Sequence, residues 1–247
     1  MEEALKHKTA SGETICYSVT SGLEPSVVWL GGFRSDMNGS KAKFVDQWAR
    51  ENDRSFIRFD YSGHGRSSGN FADGTISKWL SDALEVIDHL TTGPVVLLGS
   101  SMGGWLALLA ALARPQRVRA LALIAPAADF TQKLMWDKFD QQVKDEITEQ
   151  GYWMQPSPYG EVEITKNLIE DGNKHLLLDE EIAFTGPVRI LQGQLDQDVP
   201  WQHAMKLVMK LQSNDVVFSL IKYGDHSLSA DADLLRLQAV LEELIVK

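Results

Sequence analysis

The chain has 247 residues, 44% hydrophobic and 23% charged, which fits one globular domain with a large core. Its formal net charge of −10, with no basic run, argues against nucleic acid as a partner, because a phosphate backbone is held by clustered Lys and Arg. One cysteine, Cys16, excludes an internal disulfide, and the lack of a Cys/His cluster leads us to expect no metal and no cofactor. The start, Met1-Glu2-Glu3-Ala4, is acidic and shows neither a signal nor a transit peptide. No apolar run approaches the roughly 20 residues of a membrane span. A cytoplasmic location without integral membrane contact is therefore expected.

In chain order, residues 14–20 read as antiparallel edge strands. Short β-branched apolar runs at 27–30, 56–59, 95–98, 121–124 and 188–191 read as buried strands, and 216–221 as another. Between them Ile76, Trp79, Leu80, Ala83, Leu84, Ile87 and Leu90 recur at i, i+3/i+4, which predicts a helix with one apolar face. A helix is also expected at 105–113, and Leu234, Leu237, Leu241, Leu244 and Ile245 predict a last one. This alternation predicts an α/β fold with a mostly parallel sheet of about eight strands and helices on both faces.

Segment 127–186 breaks the rhythm. Phe139, Val143 and Ile147 give a helical patch, joined by Trp136, Trp153, Met154, Tyr159 and a Pro156-Ser157-Pro158 turn. Lying just before the strand at 188–191, it is expected to be a helical lid over the carboxyl ends of the strands, where open α/β sheets bind ligands. The plainer alternative is a crossover whose aromatics pack on the core. Either way the chain reads as a single domain, 1–247.

Gly99-Ser100-Ser101-Met102-Gly103 matches G-x-S-x-G between a strand and a helix. A serine on so tight a turn exposes its Oγ above the sheet, and a helix N-terminus beside it favours a developing oxyanion. Ser101 is thus the candidate nucleophile, and it needs a base. Of six histidines, His226 lies in Tyr223-Gly224-Asp225-His226-Ser227 after the strand at 216–221, in the chain order Ser, Asp, His. His64, in Ser62-Gly63-His64-Gly65-Arg66-Ser67, is the rival but precedes the serine. His7, His89 and His175 read as surface residues, and His203 as part of a helix start after Pro200. The acid is expected in the loop after the strand at 188–191. Asp196 comes first; Asp198 is second and could instead cap the helix beginning at Trp201. Asp225 adjoins His226 in sequence and is poorly placed to face it.

The oxyanion needs two N–H donors. Met102 follows the nucleophile, and Gly31-Gly32-Phe33-Arg34 follows the strand at 27–30, so Phe33 and Met102 are the expected donors. Gly32 lets backbone approach the substrate. Arg34 could hold a substrate carboxylate, or pair with Asp36 or Asp60. Trp136, Trp153 and Met154 are expected to give the acyl group an apolar surface.

Phe56-Ile57-Arg58-Phe59-Asp60-Tyr61-Ser62-Gly63, Met37-Asn38-Gly39, Gly99-Ser100-Ser101-Met102-Gly103-Gly104-Trp105 and Asp198-Val199-Pro200-Trp201 carry a resemblance. They resemble the α/β-hydrolase superfamily, and within it the family of α/β-hydrolase domain-containing protein ten, acyl-protein thioesterases and acyl-glucuronide esterases of mitochondria. The resemblance runs from about Val27 to His226. It implies the α/β-hydrolase fold, Ser101, Asp196 and His226 as the triad, and Phe33 and Met102 as oxyanion donors. The expected activity is cleavage of a carboxylic ester or acyl-thioester through an acyl-enzyme, on a small acyl substrate or an S-acylated protein. The competing readings are a serine aminopeptidase of the same fold and a ligand-binding homologue without catalysis.

Overall fold

The computed structural model describes residues 4–157 and 160–246, so Met1, Glu2, Glu3, Tyr159, Lys247 and Pro158 of the predicted turn lie outside the described residues. Strands β1 (Leu5–Lys8), β2 (Thr14–Thr20) and β3 (Leu23–Leu30) lead into helix α1 (Ser40–Glu51). Then β4 (Arg54–Phe59), α2 (Ile76–His89), β5 (Val95–Ser100), α3 (Met102–Ala113) and β6 (Val118–Ile124) follow. An insertion holds α4 (Gln141–Gln150), β7 (Tyr152–Gln155), β8 (Val162–Thr165) and α5 (Lys166–Gly172). The chain ends with β9 (Val188–Gly193), α6 (Trp201–Lys210), β10 (Val216–Ile221) and α7 (Asp231–Val246).

Eight strands form one sheet in the order β1-β2-β4-β3-β5-β6-β9-β10, antiparallel at β1–β2 and β2–β4 and parallel elsewhere. The mostly parallel sheet predicted from the alternation is thus present. Its interior strands β5 and β9 are buried along their whole length, which is why their sequences read as apolar runs without alternation. On one face Val45 and Trp48 of α1 and Leu237 and Leu241 of α7 pack against Val27, Val96, Leu98 and Ala122. On the other, Ile76 and Trp79 of α2, Trp105 and Leu108 of α3 and Leu207 of α6 cover Val28, Leu97, Leu121 and Ile190. Helix α3 is buried from Met102 to Ala111, as its all-round apolarity requires. It begins at Met102 rather than at residue 105, so its first turn opens directly behind Ser101.

The insertion departs from the helical expectation. Beside α4 and α5 it contains a π-helical turn (Thr131–Met135), a 3₁₀ turn (Trp136–Lys138) and an antiparallel ribbon of β7 and β8, in which Trp153 faces Ile164. Trp136, Phe139 and Trp153 pack there on Ile147, Val162, Ile164 and Ile169, a small cluster that Phe33, Phe71 and Met135 also touch. Asp171 of α5 accepts from the N–H and Oγ of Ser77 in the first turn of α2, at 2.7 and 2.8 Å. His175 Nε2 bonds the same Oγ at 2.7 Å. His175 is therefore a half-buried tether, not the surface residue expected. Among the described residues no helix is long and apolar enough to cross a membrane.

Candidate active site

Between β5 and α3 the chain bends so sharply that Ser101 takes φ 55° and ψ −119°. A residue with a side chain in such a conformation costs on the order of 1–3 kcal/mol and persists only where its surroundings over-determine it. Here the Ser101 N–H donates to Ile124 O at 2.9 Å, and its own carbonyl accepts from Gly104 and Ala127 N–H at 2.9 and 3.0 Å. The glycines around it answer to contact rather than to flexibility. A Cβ on Gly99 would sit 2.3 Å from Gly103 O, one on Gly103 2.0 Å from Leu30 O, and one on Gly104 2.8 Å from Pro126 Cβ. No larger residue leaves room for the bend.

The loops after β9 and β10 meet the serine. His226 Nε2 lies 3.1 Å from Ser101 Oγ, and His226 Nδ1 lies 2.8 Å from Asp196 Oδ2. The Asp196 side chain has no solvent exposure. Its Oδ1 accepts from Asp198 N–H at 3.0 Å and Val199 N–H at 2.8 Å, and Gln192 Nε2 donates to Oδ2 at 3.1 Å. The Asp196 carboxylate accepts from Nδ1–H, which puts the imidazole proton there and leaves Nε2 bare toward the serine hydroxyl. Gln192, missed in the sequence, is fully buried and also bonds Val199 O, so it locks the loop around Asp196. Lys41 of α1, also missed, donates from Nζ to Ser227 O beside His226. Burial holds its pKa below the usual lysine range.

The other candidates go elsewhere. Asp198 is exposed and does not cap α6, whose N-cap is Pro200 without a side-chain bond. Asp225 accepts from Leu228 N–H and Ser227 Oγ, bonds that hold its pKa below the usual carboxylate value and shape the histidine loop. His203 is buried and donates to Ala128 O at 2.7 Å. His89 is exposed, whereas His7 is half-buried and bonds Glu85 at 3.1 Å. His64 lies 3% exposed behind the loop that carries Phe33 and makes no bond to Ser101. Asp196, Asp198 and His226 bring donor atoms within 4.8 Å of one another, but both Asp196 oxygens are already taken by N–H groups, a poor set for a cation.

Two cavities open on either side of Ser101 and His226, and Phe33 forms part of both walls. One, of about 260 Å³, lies toward α1 and is lined by Trp29, Gly32, Ser35, Asp36, Lys41 and Ser227 among others. The second, of about 350 Å³, lies toward the insertion against Met102, Ala127, Phe130, Leu134, Met135 and Val199. A Cβ on Gly32 would lie 3.4 Å from Ser101 Cβ, so the loop after β3 runs directly against the serine. Phe33 and Met102 N–H have no hydrogen-bond partner among the described residues.

Four expected substrate residues line neither cavity. Arg34 is exposed, and it pairs with neither Asp36 nor Asp60: Asp36 accepts from Asn38 N–H, while Asp60 accepts from Met37 and Arg66 N–H. Trp136 and Trp153 are drawn into the cluster around Ile147 and Ile164, and Met154 alternates with Trp153 along β7. The π-helical turn brings Leu134 and Met135 to the cavity in their place.

Residues 24–158 match the model of a family described as serine aminopeptidase, S33. A mitochondrial palmitoyl-protein thioesterase ABHD10 of Mus musculus is 40% identical over 238 residues, 94% of this chain and 79% of the relative. Among solved structures, a protein from Agrobacterium vitis S4 superposes with a TM-score of 0.92 at 40% identity, covering 98% of each chain. α/β-Hydrolase domain-containing protein 10 from mouse gives 0.91 at 37%, again covering 98% of both. The expected cytoplasmic location is overturned: five mammalian relatives at 37–40% identity are all named mitochondrial. That expectation rested on the absence of a leader, and an absence at a chain's start carries no weight.

Proposed function

Because the chain belongs to the α/β-hydrolases, in the family of the ABHD10 thioesterases, and cleaves ester or thioester bonds, we propose that it does so by acyl transfer to Ser101. The observation that carries this is the hydrogen-bonded line from Ser101 Oγ through His226 to Asp196, at 3.1 and 2.8 Å. As Oγ attacks the carbonyl carbon, its proton passes to Nε2, and Asp196 stabilises the resulting imidazolium. The carbonyl oxygen becomes an oxyanion between the Phe33 and Met102 N–H groups, where one donor typically contributes about 3 kcal/mol. His226 then protonates the leaving alkoxide or thiolate. In the second half, water gives its proton to Nε2, attacks the acyl-enzyme, and releases the acid and free Ser101.

In this reading 1–247 is one domain, with 127–186 as the lid. The acyl chain lies in the cavity of Ala127, Phe130, Leu134 and Met135, and the leaving group in the cavity of Ser35, Asp36 and Lys41. The palmitoyl thioesters named for the relatives suggest long acyl chains and S-acylated proteins as substrates. The aminopeptidase reading follows the matched family's description, but an α-ammonium group requires an anionic pocket. Asp36 shares its cavity with Lys41, which offsets its charge, and this leaves the exposed Asp198 of the second cavity as the carboxylate an amine could reach.

A series of p-nitrophenyl esters and acyl-thioesters of graded chain length tests the proposal. Each methylene that packs on Phe130, Leu134 and Met135 should raise kcat/KM about fourfold, from about 0.8 kcal/mol per buried CH₂, until that surface is covered. A flat chain-length profile, or faster turnover of aminoacyl naphthylamides, would overturn it.

A further inference from the structure

The loop that carries Phe33 is held by groups that have no part in the acyl transfer itself. The Gly32 carbonyl accepts from Ser35 N–H at 3.1 Å and from Ser35 Oγ at 2.8 Å. In a planar trans peptide the carbonyl and the following N–H point in opposite directions. Drawing the Gly32 oxygen to Ser35 therefore turns the Phe33 N–H the other way. The next peptide is gripped separately: Arg34 N–H donates to His64 Nε2 at 3.3 Å. Arg34 sits at φ 61°, in the left-handed region that a long side chain rarely adopts, so this segment requires outside support.

His64 is well placed to give that support. It is 3% exposed, its Nδ1 bonds Ser62 O at 3.3 Å, and its ring packs edge-on against Tyr61, Phe71 and Trp79 with centroids 5.2–5.6 Å away. Because a backbone N–H only donates and a carbonyl only accepts, both bonds together require the neutral Nδ1–H tautomer with Nε2 bare. A protonated ring would present a second N–H to the Arg34 N–H. Burial favours the neutral form, pulling the pKa down to about 4. Phe71 and Trp79 also pack edge-on against the Phe33 ring, so imidazole and oxyanion loop share one aromatic wall.

We propose that His64 and Ser35 are positioning residues for the oxyanion donor: the imidazole captures the Arg34 amide, Ser35 captures the Gly32 carbonyl, and together they aim the Phe33 N–H at the oxygen that develops above Ser101. The proposal rests on the reading of Phe33 and Met102 as the oxyanion pair. It gives the second histidine near the site a role distinct from that of His226: the one acts as a fixed acceptor, the other as a proton carrier.

The test compares wild type with His64→Leu, His64→Gln and Ser35→Ala. It reads kcat and KM on a p-nitrophenyl ester, the Ki of an alkyl trifluoromethyl ketone, and Tm. The ketone's hemiketal oxyanion requires the same two donors. Glutamine keeps an acceptor oxygen near the position of Nε2. His64→Leu should lower kcat by about 10- to 100-fold with KM nearly unchanged, since a misaimed donor loses part of the 10²–10³-fold that a deleted one costs. The ketone's Ki should rise by the same factor, and His64→Gln should recover most of both. Ser35→Ala, which keeps the backbone bond to Gly32, should lose about fivefold in kcat. It also serves as the test if the leucine variant fails to fold. Unchanged kcat and Ki in a folded His64→Leu, or in Ser35→Ala where the leucine variant does not fold, would overturn the proposal. So would His64→Gln falling as far as His64→Leu at equal Tm. Failure of a fluorophosphonate to label wild-type Ser101 would instead sink the acyl-enzyme reading beneath it.

Discussion

Ser101 is enclosed by two regions built on different principles. On one side, β3, β5 and α3 bring backbone within van der Waals distance of backbone, so each position admits one residue type. On the other, the insertion contributes Leu134 and Met135 from a π-helical turn, while its larger aromatics gather on Ile147 and Ile164, a cluster that Phe33 and Met135 join to the site. The first region dictates identities, and the second requires only apolar bulk on the correct face. Chemistry is expected to fail abruptly when the first is altered, whereas specificity should drift when the second is.

The largest effect should come from Gly103→Ala, because its Cβ would meet Leu30 O at 2.0 Å with only backbone to yield. Stability should fall by more than about 4 kcal/mol, the range reserved for severe packing faults, or roughly 10 °C in Tm by calorimetry. A variant within 2 °C of wild type would erase the contrast, 2 °C being less than about 1 kcal/mol for a chain of this size.

A smaller effect should separate the rigid side by pH. The folded-state pKa of His64 is depressed to about 4 from 6.5, so its contribution to stability is complete above pH 6.5 and is lost as pH falls toward 4. Asp82 works in the opposite sense: burial raises it to about 6 from 3.8, so its contribution is lost as pH rises through 6. Comparing wild type with His64→Gln removes the Asp82 contribution, which both share. The variant should gain about 2 kcal/mol relative to wild type between pH 7 and pH 5 in urea melts. Parallel pH profiles would show that this imidazole is not held neutral.

The smallest effect belongs to the insertion. Met135→Ala should lower kcat/KM about fivefold on long acyl chains and leave short ones unchanged, the scale of one or two lost methylene contacts. Trp153→Ala should leave both within about twofold, lowering Tm instead through its loss from the insertion's core. Equal kinetic losses in the two variants would mean that Trp153 does reach the substrate.

The same division explains what could be read before any coordinates. Gly99, Gly103 and Gly104 were legible because each is demanded by a contact that no side chain survives. Asp196 was ranked above Asp198 because Asp198 could cap α6, which it does not do; the structure gives a different reason, since the turn folds around Asp196, with Asp198 giving it a backbone N–H. Trp136, Trp153 and Met154 were assigned to substrate because composition does not reveal which face of an irregular segment turns inward. Arg34 was singled out for its charge and stands in solvent. Gln192, Lys41 and Ser35 bond partners that only the fold brings together, and no sequence spacing announces them; His64 was noticed as a rival base, while its bond to the Arg34 N–H shows only in the fold.

The acyl-enzyme itself is tested most directly by mass spectrometry of the intact protein and its peptides after reaction with an alkyl fluorophosphonate. One adduct is expected, on the peptide that carries Ser101, formed at least about 10³-fold more slowly in His226→Ala, where the base that activates the hydroxyl is gone. No adduct, an adduct on any other residue, or labelling of His226→Ala at the wild-type rate would contradict the proposed chemistry.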